Sequence, residues 1–183
     1  SLDKTTMLMT DKVAPILKVA NSAMENGTVT YKSSNEAVAK IAEDGTITIV
    51  GAGKVDFTVT FGQTANYNAS EATISLEVMK DTLKAEDFIV TNDTTIYDGS
   101  VKTANVTTDL DNVGEIVVSY NPADTINVGT YEIIVNVAEG THYNKVENLV
   151  VGTLTINRAN QDKPVLSLDK TTMLMTDKVA PIL

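Results

Sequence analysis

Cysteine is absent from the 183 residues, which excludes disulfide bonds, thiolate zinc sites and thiol nucleophiles. Tryptophan is absent too, and aromatic residues make up only 5%, so any core must be aliphatic and β-branched. His142 is the only histidine, which leaves general-base catalysis and metal ligation without their usual residue in sets. Arg158 is the only arginine, and the formal net charge is −10. So acidic a chain is repelled by phosphate backbones, and no nucleic-acid partner is expected. No apolar run is long enough for a membrane helix, so no membrane insertion is expected either. None of these residues reads as a secretory leader, so any address is expected to lie elsewhere in a longer parent.

What the chain does have is a repeat. Ser1–Leu17 recurs letter for letter as Ser167–Leu183, a period of 166 residues. Identity of that length implies a parent built as a tandem array, with this chain covering one period and the opening of the next. Neighbouring identical repeats are then the first expected partners. An array whose copy number sets its reach suits a spacer better than a single enzyme.

Within the period, alternating apolar and polar residues predict strands at Thr28–Tyr31, Thr46–Val50, Val55–Phe61, Thr73–Val78, Glu115–Tyr120, Thr130–Val137 and Leu149–Ile156. Turn pairs separate them: Asn26-Gly27, Asp44-Gly45, Gly51-Ala52-Gly53, Asp98-Gly99, Asn121-Pro122 and Glu139-Gly140. The best helical candidate is one turn near Ser34–Ala39. Short strands at this spacing argue an all-β chain with sandwich architecture. A break is expected at Met79–Leu83 and another at Asn157–Pro164. The expected organisation is a domain over 1–79, a second over 84–158, a linker over 159–166, and the first strands of the next repeat over 167–183. Tyr67-Asn68 and Tyr143-Asn144 each precede a closing strand, which predicts two matching corners with buried rings and hydroxyls bonded to backbone.

Val29-Thr30-Tyr31-Lys32-Ser33-Ser34-Asn35-Glu36-Ala37-Val38-Ala39-Lys40-Ile41, followed by Asp44-Gly45-Thr46-Ile47 and Gly51-Ala52-Gly53-Lys54-Val55, resembles the core motif of bacterial immunoglobulin-like domains of group 2. The likeness extends loosely over residues 1–79. Physically, Ser33-Ser34-Asn35 supply acceptors for a tight turn, Asp44-Gly45 suits a hairpin needing positive φ, and Gly51 and Gly53 permit a bend. In the second half Ile96-Tyr97-Asp98-Gly99-Ser100, Asn127-Val128-Gly129-Thr130-Tyr131-Glu132-Ile133, and Tyr143-Asn144 with Gly152–Ala159 resemble the MBG-type Ig-like repeats of bacterial surface proteins. These resemblances imply two tandem Ig-like β-sandwiches and an extracellular place on a bacterial cell surface.

Candidate chemistry is sparse. Asp109, Asp111 and Glu115 could supply part of a calcium shell, which needs six to eight oxygens, with Glu86 and Asp87 as a lesser group. The competing reading is a solvated hairpin tip, and no metal or other cofactor is expected. His142 reads as a surface turn residue, and Ser33-Ser34 as a turn rather than a nucleophile lacking its base. Lys102, Asn105, Lys145 and Asn148 carry the residue types of a Lys–Asn isopeptide bond, but no buried acid is singled out beside them. A glycan would stack on exposed aromatics, and Tyr31, Tyr67, Tyr97, Tyr120, Tyr131 and Tyr143 all fall in or beside strands, where burial is expected.

The expected function is therefore non-enzymatic: a structural repeat of the stalk of a large adhesin, projecting a distal binding region. The alternative is a module that binds host glycan or protein by avidity. One further expectation concerns the duplicated segment, apolar at Leu2, Met7, Leu8, Met9, Val13, Ile16 and Leu17. Its copy (Leu168, Met173, Leu174, Met175, Val179, Ile182, Leu183) lacks the rest of its domain. Two outcomes are open for it: the tail lies disordered or extended against its own second domain, or it replaces the first strand of a neighbouring chain, and self-association through 167–183 by such strand exchange is the expectation at high concentration.

Overall fold

The computed structural model of the chain describes residues 1–20, 27–168, 171–176 and 178–179. Asn26 of one expected turn, and Ile182 and Leu183 of the duplicated segment, lie outside the described residues. The chain is all-β. Among the described residues twelve strands run in order β1 (Thr6–Leu8), β2 (Val29–Ser33), β3 (Ala39–Ile41), β4 (Ile47–Ile49), β5 (Gly53–Phe61), β6 (Ser70–Met79), β7 (Ile89–Thr91), β8 (Thr94–Ile96), β9 (Asn105–Thr107), β10 (Ile116–Asn121), β11 (Gly129–Val137) and β12 (Val146–Asn157). A single 3-10 turn, Ala85–Asp87, is the only helical element among the described residues. The helical turn expected near Ser34–Ala39 is one turn in which Val38 and Ala39 both donate to the Asn35 carbonyl.

The strands form two four-stranded sheets, ordered β1-β6-β5-β2 and β10-β11-β12-β8, with small ribbons β3-β4 and β7-β9. Read from opposite ends, the large sheets share one plan. A three-residue strand lies parallel to the closing strand (β1 on β6, β8 on β12), and the other pairings are antiparallel. The penultimate strands match in detail. β5 and β11 each open on glycine and bury every second residue after it: Val55, Phe57, Val59 and Tyr131, Ile133, Val135. Alternation of this kind buries one face of an antiparallel sheet, because successive side chains leave the strand on opposite sides.

Each sheet covers its own apolar cluster. In the first, Val55, Phe57, Leu76 and Val78 from the sheet meet Val38, Ala39 and Ile47 from the facing ribbon, and Met7 closes the edge. In the second, Tyr131, Ile133, Val135, Val137, Leu154 and Ile156 provide the floor, with Val90 and Val106 from the β7-β9 ribbon packed on it. Burying a residue such as Phe57 or Ile133 completely stabilises by about 1.5–3 kcal/mol. The small residue count on each ribbon makes these alternating positions the bulk of each core.

The Asp44-Gly45 hairpin forms as expected between β3 and β4. Gly45 has φ of +85°, a conformation that side chains with a Cβ rarely adopt, and the Tyr31 ring lies over it. Asp44 Oδ1 accepts from the Thr46 amide at 2.9 Å and closes the turn. Strands β7, β8 and β9 escape the pattern reading. At three residues each they are too short for alternation to register, and Ile89 and Ile96 are 45% and 60% exposed.

The expected tyrosine corners differ from the observed ones. Tyr143 is buried, but Tyr67 is 48% exposed. The hydroxyl-to-backbone bond occurs instead at Tyr131, which donates to the Asn127 carbonyl at 2.7 Å, and at Tyr120, which accepts from the Ala104 amide at 2.9 Å. Tyr97 also departs from the expectation of burial, at 39% exposed. The physical reason is position: Tyr131 points inward from a central strand, whereas Tyr67 and Tyr97 sit in loops outside the sheet faces.

The duplicated segment does not behave as two equal copies. In the first, Thr6–Leu8 is a strand and Met7 is buried. In the second, no strand is assigned to residues 171–176, and Met173 is 47% exposed.

Candidate functional site

The junction between the two sheets is the most heavily organised surface of the chain. Asp81 stands at its centre. Its amide donates to the His142 carbonyl at 2.9 Å, and its own carbonyl accepts from the Asn144 amide at 2.8 Å. Asp81 thus bridges to Tyr143 as one rung of parallel pairing. The carboxylate accepts from the Thr10 hydroxyl at 2.9 Å and the Thr82 amide at 2.7 Å. The Asn144 side-chain amide adds bonds to the carbonyls of Lys80 and Asp81. Lys80 pairs with Glu139, whose carboxyl is held below its ordinary pKa by that ammonium group. Leu83 then enters the second core beside Phe88 and Tyr143.

The 79–83 connection, expected as a break, is thus pinned to the 139–145 loop by backbone and side-chain bonds. Each neutral bond contributes only about 0.5–1.5 kcal/mol, but several acting on five residues leave them little freedom. Tyr143 lies under this connection. Burial first, and then the nearby charges of Asp81, Asp87 and Asp111, push its phenol pKa up.

A second organised feature is the Ser33-Ser34-Asn35 turn. The Ser33 hydroxyl donates to the Ala39 carbonyl at 2.7 Å and accepts from the Asn35 amide at 3.2 Å. Ser34 Oγ accepts from the Asp56 amide at 2.8 Å, and Asn35 Oδ1 from the Ala37 amide at 3.1 Å. Both hydroxyls are engaged in holding β2, β3 and β5 together.

The remaining candidates stay apart. Asp109, Asp111 and Glu115 are all exposed, and among the described residues no group of three His, Cys, Asp or Glu side chains converges as a cation site would require. Near them His142 meets Asn112, Nδ1 to the amide nitrogen at 3.3 Å, and no carboxylate. Lys102 and Lys145 form ion pairs with Asp98 and Glu147, while Asn105 reaches Thr91 and the Asn148 amide reaches Asn136. The two lysines and the Asn105 side chain each have a non-covalent partner, and Asn148 is held by its backbone amide. Asp98 is held well below its ordinary pKa by the Lys102 ammonium and then by Ser100. Glu86 and Asp87 belong to the 3-10 turn, where the Asp87 carboxylate accepts from the Lys84 amide.

The bonds from Thr10 to Asp81 and from Tyr131 to Asn127 are the features that pattern reading misses. The first spans 71 residues and has no local signal. The second had one: a tyrosine two residues into a strand opened by Val128-Gly129, in the segment already singled out for its motif.

These sheets, ribbons and junction define an all-β protein. Compared with known proteins, the chain matches no described family and no curated sequence.

Proposed function

We propose that this chain is a structural repeat unit, a pair of Ig-like β-sandwiches in the stalk of a large bacterial cell-surface adhesin, projecting a distal binding region. The observation that carries this reading is the verbatim return of Ser1–Leu17 after 166 residues. Three further features support it. The two large sheets follow one strand plan, and their orders place sequence-distant strands side by side, as Greek-key sandwiches do. The connection between them is pinned rather than loose. β12 also starts beside that junction and ends twelve residues later, so the chain leaves far from where it entered.

At roughly 3.3 Å per residue, β5 of nine residues and β12 of twelve would span about 30 and 40 Å. A unit stacked end to end would add very roughly 70 Å. The function is mechanical: reach set by copy number, stiffness set by the junction, and solubility aided by an acidic surface. The extracellular place is part of this proposal and rests on the resemblance of residues 28–61 and 96–159 to surface-protein repeats.

The alternative is a module binding host glycan or protein, with Tyr67 and Tyr97 as its stacking surfaces, since both are exposed. One pair of measurements separates the readings. Concatenating one, two and three 166-residue units should lengthen the maximum dimension in small-angle scattering by a constant step, while a glycan array stays blank. A dimension that does not grow by a constant step, or a saturable glycan signal lost in the Tyr97→Ala variant, would overturn the spacer reading.

A further inference from the structure

In both large sheets the first strand in chain order lies parallel to the last. Thr6, Met7 and Leu8 of β1 face Glu77, Val78 and Met79 of β6, and Thr94, Thr95 and Ile96 of β8 face Thr155, Ile156 and Asn157 of β12. The bonds that close each patch match as well. In the first, the Glu77 amide donates to the Thr5 carbonyl at 3.0 Å and the Met9 amide to the Met79 carbonyl at 2.8 Å. In the second, the Thr155 amide donates to Asp93 at 2.7 Å and the Tyr97 amide to Asn157 at 2.8 Å.

This arrangement fixes how tension passes through each sheet. A pull on the two ends of a domain draws its first strand toward the N-terminal side and its last strand toward the C-terminal side. In a parallel pair those pulls oppose each other along one axis, so the rungs lie across the load and share it. In an antiparallel pair both pulls would act at one end, and the rungs would open singly. We infer that the β1–β6 and β8–β12 pairs are the load-bearing clamps of the chain, and that the β8–β12 clamp is the weaker and lets go first. The inference rests on the stalk reading above and adds how such a stalk yields: the second sheet extends while the first still holds.

The inequality comes from what surrounds the rungs. Met7, in the middle of β1, is buried with Phe57, Leu76 and Val78, so shearing β1 drags an apolar side chain out of the first core. Its counterpart in β8 is Thr95, which is half-buried, and Thr94 and Ile96 on either side are exposed. The first clamp also carries an extra link. Two residues beyond β1 and β6, the Thr10 hydroxyl donates to the Asp81 carboxylate at 2.9 Å, a bond strengthened by the acceptor's charge. Two residues beyond β8 and β12 stand Asp98, which pairs with Lys102, and Ala159, which has no polar side-chain atom.

The test holds the full chain in optical tweezers through introduced cysteine pairs, since it has no cysteine of its own. Handles at Ser1→Cys and Lys84→Cys load the first sheet along β1 and β6. Handles at Ser1→Cys and Lys32→Cys load it crosswise, from β1 to β2 at the opposite edge. At equal force the lengthwise lifetime should exceed the crosswise one by at least about tenfold, because several rungs must break together. Handles at Ser1→Cys and Arg158→Cys should show two opening steps. Tyr97→Pro, which deletes the amide that bonds Asn157, should shorten the lifetime before the first step by about two- to tenfold. Met9→Pro and Thr10→Val should shorten only the lifetime before the second. Equal lifetimes in the two loading directions, or a first step that answers to Met9→Pro and not to Tyr97→Pro, would overturn the inference. The comparison of directions leaves both clamps unaltered, so it decides even where a proline variant fails to fold. None of these outcomes bears on the scattering step and glycan array that test the spacer reading.

Discussion

The Thr10 hydroxyl donates to the Asp81 carboxylate at 2.9 Å, tying the end of the opening segment to the connection between the two sheets. Asp81 is also paired by its backbone to His142 and Asn144. One residue therefore holds the opening segment, the last turn of the first sheet and a loop of the second.

Asp81→Ala removes the acceptor for Thr10 and Thr82 but keeps the backbone rungs. The expected cost is about 1.5–3 kcal/mol, the range for hydrogen bonds to a charged group, read as a lower urea midpoint. A wider spread of maximum dimension in small-angle scattering should accompany it. Asp81→Asn retains an acceptor and should recover most of both. An alanine variant with unchanged midpoint and unchanged scattering would show that the junction is held by its backbone alone.

Tyr131→Phe deletes a buried hydroxyl and leaves the Asn127 carbonyl without its donor. Loss of about 1–2 kcal/mol in the second sheet is expected, measured by hydrogen exchange of β11 and β12 amides. Tyr67→Phe, at an exposed ring, should change nothing measurable. If both variants behave alike, the Tyr131 corner contributes no stability.

The pH dependence has two arms of opposite sign. Tyr143 has its phenol pKa raised on folding. Its contribution is complete below the ordinary tyrosine value of 10.0 and is lost as pH rises through the folded value. Alkaline unfolding should therefore begin in the second sheet, and Tyr143→Phe should delay it. Asp98 has its pKa lowered by Lys102. Its contribution is present above the ordinary value of 3.8 and fades as pH falls below that. Acid titration followed by the Asp98 carboxyl carbon resonance should show an inflection well below 3.8, shifting upward in Lys102→Met. An unshifted inflection would show that the Lys102–Asp98 ion pair does not hold in solution.

Much of the fold is legible locally. The seven strands expected from alternation overlap β2, β4, β5, β6, β10, β11 and β12. The Asp44-Gly45 hairpin and the Ser33-Ser34-Asn35 turn follow from residues adjacent in sequence, whose own side chains or φ preferences create the bend. The parallel edge strands β1 and β8 are different. Three residues carry no period, and their partners lie about sixty to seventy positions away. Whether acidic residues converge is also beyond local reading: Asp109, Asp111 and Glu115 are near one another in sequence, yet among the described residues no group of three His, Cys, Asp or Glu side chains comes together.

Composition and period alone settled that this chain would be built of strands with aliphatic cores, because side-chain direction in a strand alternates residue by residue. They could not settle which of two identical segments becomes a strand. Ser1–Leu17 and Ser167–Leu183 carry the same local preferences, yet Met7 is buried and Met173 is not. Residues 6–8 lie along β6, and a three-residue strand takes its shape from the edge that the tertiary fold brings alongside it.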